Sequence, residues 1–152
     1  MKDYETQKKN LEVFATFLEF YSIQYTLVDE KLDTGQKYPV LKFVYRIEGM
    51  DYDVKLVAFF DWATARCYLF DTKTVNEKMA CTIFQKCLEL NYLLPNTTFS
   101  MYNRKIFSEV DMELTASPKE FEFEMNGLTY GIEDFTKFLK SQNLKTVGRP
   151  IS

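Results

Sequence analysis

Histidine is missing altogether from this chain, and with it the side chain best suited to proton transfer and metal ligation near neutral pH. Serine and cysteine nucleophiles lose their usual base, leaving only lysine or carboxylate variants, so the familiar hydrolytic triads are excluded. Cysteine is scarce too. Cys67, Cys81 and Cys87 form an odd set without a CxxC pair, whereas a zinc site normally takes four Cys and His ligands, so no metal is expected. Cys81 and Cys87 lie on a segment that reads as helix, turned about 120° from each other, which disfavours a mutual disulfide. All three cysteines read as small buried hydrophobes. The 5 glycines, at positions 35, 49, 127, 131 and 148, stand apart, so there is no phosphate-cradling loop and no dinucleotide fingerprint. No cofactor is expected.

Basic clusters and long apolar runs are lacking as well. Nothing longer than Lys8-Lys9 concentrates positive charge, and the net charge is −3 with a pI near 5.1. Nucleic acid is therefore not an expected partner, since binding it requires grouped Lys and Arg to displace phosphate counterions. The opening Met1-Lys2-Asp3-Tyr4-Glu5 has no apolar signal core, and no stretch approaches the roughly 20 apolar residues that cross a bilayer. The expectation is a cytoplasmic protein without a membrane partner.

What the chain does have is apolar and aromatic surface to bury: 46% hydrophobic residues, 14 Phe and 10 Tyr among 152 residues, with only 4 Pro. That composition lies far from the disordered class and suits one core. We expect one domain over residues 1–144 and a loose tail over 145–152.

Periodicity supplies the elements. Tyr4, Leu11, Phe14, Leu18 and Tyr21 fall at helical spacing, widened by Val13, Phe17 and Phe20. So broad a face implies deep burial or a second chain against part of it. Gln24 to Glu30 reads as a strand. A longer strand follows from Tyr38, with Leu41, Phe43, Tyr45 and Ile47 alternating with Lys42, Val44, Arg46 and Glu48. A turn at residues 48–51 leads to Val54, Leu56, Ala58 and Phe60 as the inward face of the next strand, and residues 65–70 give another after a turn over 61–64.

Thr72 or Thr74 can cap a second helix to about Tyr92, with Val75, Met79, Ile83, Cys87 and Leu90 on one stripe and Cys81, Phe84 and Leu88 on another. Apolar on two sides, it reads as mostly buried. Pro95 stops it, residues 99–102 make a brief strand, and Asn103-Arg104 is the tip of a hairpin into residues 105–114. Residues 119–125 are two-sided. Ser117-Pro118-Lys119-Glu120 matches a helix capping box, yet Glu120-Phe121-Glu122-Phe123-Glu124-Met125 alternates as a strand does, and alternation favours strand. A last helix follows over about 131–142, with Ile132, Phe135, Phe138 and Leu139 apolar. The order is helix, three or four strands, helix, two or three strands, helix: an α+β protein with helices packed on an antiparallel sheet.

The closing stretch Phe121 to Tyr130, with its Gly127-Leu128-Thr129-Tyr130 step and the aromatics Phe135 and Phe138 behind it, resembles the YbjN family of small bacterial proteins. Leu90-Asn91-Tyr92-Leu93-Leu94-Pro95 leading into Thr98-Phe99-Ser100-Met101 is similar to the helix-to-hairpin joint of that family. The resemblance implies a fold like that of type III secretion chaperones, which dimerise and hold extended segments of partner proteins. It implies no catalytic residues. The aromatic load of this chain departs from the family.

The leading expectation is thus a noncatalytic module that binds a partner polypeptide, as a homodimer through a helix face, by an apolar groove or an open sheet edge. Phe17, Phe20, Phe84 and Leu88 are its candidate contacts because they lie on surplus apolar faces. Trp62 joins them because it sits in a turn beside Asp61, although edge packing accounts for it equally simply. A small-ligand sensor with an apolar pocket is the alternative. An enzyme with an unrecognised carboxylate or Lys site is third. The acidic rows Glu109, Asp111, Glu113 and Glu120, Glu122, Glu124 read as solvated sheet surface. Phe43, Tyr45, Phe59 and Phe60 lack the basic surroundings of a base-stacking platform.

Overall fold

Three helices cover one face of a seven-stranded antiparallel sheet in this computed structural model, which describes residues 4–151. Met1, Lys2 and Asp3 of the opening segment, and Ser152, lie outside the described residues. The α+β class and element order are those read from the sequence: α1 Tyr4–Phe20, β1 Tyr25–Lys31, β2 Lys37–Ile47, β3 Met50–Ala58 and β4 Trp62–Asp71, then α2 Glu77–Leu93, β5 Thr98–Tyr102, β6 Lys105–Glu113, α3 Pro118–Ser141 and β7 Arg149–Pro150. The strands stand in the order β1-β2-β3-β4-β6-β5, with β7 beside β3.

Two hairpins set the register. Ile47 pairs Met50 across Glu48-Gly49, with φ of 49° and 76°, and Tyr102 pairs Lys105 across Asn103-Arg104, with φ of 49° and 65°. Positive φ at both central residues gives the turn whose twist matches the flanking strands. The rows that result are apolar on one face: Leu41, Leu56, Ala65 and Val110 are successive cross-strand neighbours, and all are buried. Against them pack Leu11, Phe14, Phe17 and Leu18 of α1, Ile83, Cys87 and Leu90 of α2, and the whole inner stripe of α3.

The segment over 119–125 is helix, not strand. Glu120 N–H donates to Ser117 Oγ at 3.2 Å and Ser117 N–H to the Glu120 carboxylate at 2.8 Å, a complete capping box with Pro118 in the first turn. Strand-like alternation misled because Phe121 and Met125, two strand steps apart, are also one helical turn apart. The buried stripe runs on through Leu128, Ile132, Phe135 and Leu139. Asn126-Gly127 does not end the helix: a Cβ on Gly127 would lie 2.6 Å from the carbonyl oxygen of Asn96, so the glycine lets α3 pass close to the loop after α2. Glu120, Glu122 and Glu124 therefore belong to a helix, not to a row on a strand.

Other expectations are corrected by long-range contacts. Phe60 is 79% exposed instead of inward, because β3 ends at Ala58. Trp62 starts β4 instead of lying in the turn. Asn76 caps α2, accepting from Met79 N–H at 2.8 Å, while Thr72–Thr74 form a 3-10 turn. One side of α2 is buried and the other is open, with Cys81 and Leu88 in solvent. The tail is not loose. Beyond Val54 and Cys67 the β3–β4 pairing stops, and residues 146–150 enter the gap. Val147 N–H donates to Leu69 at 2.9 Å, the Tyr52 and Thr146 hydroxyls meet at 2.7 Å, and Arg149 grips Asp53 through two bonds of 2.7 and 2.9 Å.

Candidate functional site

The five residues singled out from the sequence occupy different places. Phe17 is only 6% exposed, lying among Phe14 and Phe121 in the core, so it is not available to a partner. Phe20 is exposed at the end of α1, edge-on to Tyr21. Trp62 is partly exposed and stacks on Phe59 with ring centres 4.2 Å apart, which is edge packing with one face still open. Half-buried Phe84 and exposed Leu88 are one turn apart on α2, and exposed Tyr92 extends that stripe. Phe17 and Phe20 also share an element, α1, but Phe17 is buried, so Phe84 and Leu88 are the pair that lies together on an open helix side.

The two sheet edges differ in a way no sequence pattern announces. In the two-residue hairpin the Tyr102–Lys105 pair faces inward, so alternation turns the backbone groups of Phe99 and Met101 outward from β5. Asn91, from α2, meets those of Phe99 with both ends of its amide: Nδ2 donates to the Phe99 carbonyl at 3.0 Å and Oδ1 accepts its N–H at 2.6 Å. That edge is closed at Phe99. At the opposite edge Leu32 N–H donates to Gln36, which by the same alternation turns the backbone groups of Tyr25, Leu27, Asp29 and Lys31 away from β2. Pro39, lacking an N–H, sits opposite Asp29, where no bond to β1 is asked of it. β1 is thus a seven-residue edge strand, and Leu27 is 41% exposed on it.

Next to that edge, the helix-free face carries a polar network over an open cleft of about 690 Å3, walled by Tyr38, Lys55, Arg66, Phe107 and Tyr102. Glu30 accepts from Lys42 at 2.9 Å, Lys55 at 2.6 Å and the Tyr38 hydroxyl at 3.1 Å. Glu109 takes Arg66 at 2.7 Å and the Ser100 hydroxyl at 2.5 Å, and Arg66 also lies over the Phe107 ring. Burial alone would raise the Glu30 carboxyl, but the Lys55 and Lys42 hydrogen bonds, the Lys55 charge and the Tyr38 bond outweigh it, holding it at about 2 against an ordinary 4.5.

The folded-state value is depressed, so the stability Glu30 contributes is complete above about pH 4.5 and lost as pH falls toward about 2. Urea unfolding across that range is expected to show wild type losing stability through this window. Glu30→Gln is expected to be less stable near neutrality and to lack this share of the acid loss. Parallel curves for the two proteins would remove Glu30 from the centre of the network.

Burial pushes the Cys67 and Cys87 thiols up to about 12, so they are inert; Cys81, expected to be buried, is exposed because it faces outward from α2. All three are free thiols. Among the described residues no three Cys, Asp or Glu side chains gather as a metal site, and no helix is long and apolar enough to cross a membrane. Glu109 lies at the cleft, while Asp111 and Glu113 are exposed, as a solvated strand face requires. The sequence suggests an open sheet edge without placing it on β1, and it gives no sign of the Asn91 clamp or the cleft. The outward Lys42 was the one signal for the face, and it acquires meaning only when register sets it beside Lys55.

No protein-family model matches this sequence, and none of the curated proteins matches it.

Proposed function

We propose that this chain is a noncatalytic polypeptide-binding module that receives an extended partner segment as an additional strand along β1. The observation that carries this reading is the contrast between edges. Asn91 occupies the outward backbone groups of Phe99, leaving only those of Met101 on the short β5, whereas among the described residues none bonds the four outward pairs of β1, a strand long enough to pair with a peptide. Backbone bonds would supply affinity, and the alternate side chains on either face of β1 selectivity. A chaperone-like role, as the YbjN resemblance implies, fits such a module.

The homodimer belongs to the same reading and rests on α2. Phe84, Leu88 and Tyr92 make an apolar stripe that a second copy can meet with the same stripe, as a two-fold interface requires. The cleft on the helix-free face gives the ligand-sensor alternative its place, but its charged groups are engaged with one another.

Leu27→Pro tests strand addition. Proline there removes an N–H that faces away from β2, so the β1–β2 ladder keeps its bonds while the edge loses a donor. Dodecapeptides selected from a random phage-displayed library on the wild-type chain are expected to lose at least about tenfold in affinity for the variant, the scale of one or two lost bonds. Equal affinity for both proteins would refute strand addition at β1.

A further inference from the structure

On the helix-free face, Lys42, Lys55 and Arg66 are direct cross-strand neighbours on β2, β3 and β4. Like charges set opposite one another in a sheet oppose folding, so such a row is a local conflict of the sort that marks functional positions. Two carboxylates attend the three cations. Glu30 serves both lysines and Glu109 serves Arg66. One positive charge remains uncompensated within the row, in a chain whose net charge is −3. Each cation is about half accessible, the side chains of Lys42, Lys55 and Arg66 being 41%, 49% and 50% exposed.

The position of the row matters more than its charge. Lys42 pairs Thr26 of β1, so the row ends at the open edge in an uncharged residue with a carboxylate absent from that position. A groove of about 710 Å3 follows residues 22–26 past Lys42, Val44 and Lys55. Asp53, the acidic residue of that groove, is taken by Arg149. A strand added to β1 sets one residue beside Thr26 on this face, the next beside Val28, and the one after beside Glu30. Val28 pairs the fully buried Val40, which suits an apolar neighbour. Glu30 repels an acidic one.

We propose that the segment received by β1 is acidic at one position: an Asp or Glu beside Thr26, its carboxylate on the Lys42 ammonium, with an apolar residue beside Val28. This inference rests on strand addition at β1 and names the class of polypeptide that β1 selects. Lys42 is its specificity-determining residue, acting through charge, so its effect weakens as salt is raised.

The test uses the full chain and the same random dodecapeptide library, panned in parallel on wild type, Leu27→Pro, Lys42→Gln and Lys42→Glu, with thermal melts confirming that each variant folds. Wild-type clones are expected to carry Asp or Glu at one position of an alternating apolar pattern. In the synthetic peptide, changing that acid to its amide weakens binding by about two- to fivefold at low salt, as for a partly exposed ion pair. Lys42→Gln removes the preference, and Lys42→Glu shifts it to Lys or Arg. Clones that need Leu27 unmodified but show no charge preference would overturn the acidic inference and leave strand addition standing. Clones indifferent to Leu27→Pro, or no enrichment at all, would overturn both.

Discussion

Replacing Phe121 by alanine is expected to cost about 3–5 kcal/mol of folding stability, whereas Phe123→Ala costs about 0.5 kcal/mol or less. Phe121 is 1% exposed and packs against Phe14, Phe17 and Tyr21, with ring centres 6.4, 5.6 and 6.4 Å away; Phe123 is 56% exposed. Had residues 119–125 been a strand, the two rings would share a face and matter alike. In a helix they lie about 200° apart. Urea melts of the two variants therefore decide between the periodicities, and comparable losses would contradict α3 as described.

The second large effect separates two residues that sequence reasoning grouped together. Phe17→Asp places a carboxylate where the phenyl ring is 6% exposed among aromatic neighbours. A loss of more than about 4 kcal/mol is expected, a large part of the total stability of a small domain, through burial of an unpaired charge and lost packing. Leu88→Asp, on the open side of α2 at 69% exposure, is expected to change monomer stability by about 0.5 kcal/mol or less. Light scattering then reads the homodimer claim cleanly: a dimeric wild type and a folded, monomeric Leu88→Asp support the α2 interface. A monomeric wild type at every concentration would contradict it.

What was legible in the sequence was local. Each hairpin tip, Glu48-Gly49 and Asn103-Arg104, carries one residue that favours positive φ, Gly49 and Asn103, and α1 carries a stripe with one period only. Residues 119–125 carry two periods at once, and the capping box decides for the helix. The tail defeated local reading for another reason. Thr146, Val147 and Arg149 are held by Tyr52, Leu69 and Asp53, partners about 80 to 100 positions earlier that no window along the chain contains. The same holds for the candidate site. Asn91 reads as an ordinary helix residue until α2 is laid against β5, and Lys42, Lys55 and Arg66 read as solvated charges until strand register aligns them.

The charge row also shows how a chain of net charge −3 can still present a cationic strip. Three cations on one sheet face need no excess of Lys and Arg overall, since Asp and Glu elsewhere keep the net charge negative. Steering by such a strip is short-ranged at physiological salt, which suits selection within an already docked strand better than attraction from afar.

Residue-resolved amide hydrogen exchange on the full chain, with and without a dodecapeptide selected on it, tests the central claim most directly. In the free protein the N–H groups of Tyr25, Leu27, Asp29 and Lys31 are expected to exchange fast, while Phe99, held by Asn91, is protected. On binding, the four β1 amides become protected in alternation and Phe99 is unchanged. Protection that appears on α2 or around β5 and leaves β1 exchanging freely would contradict the account.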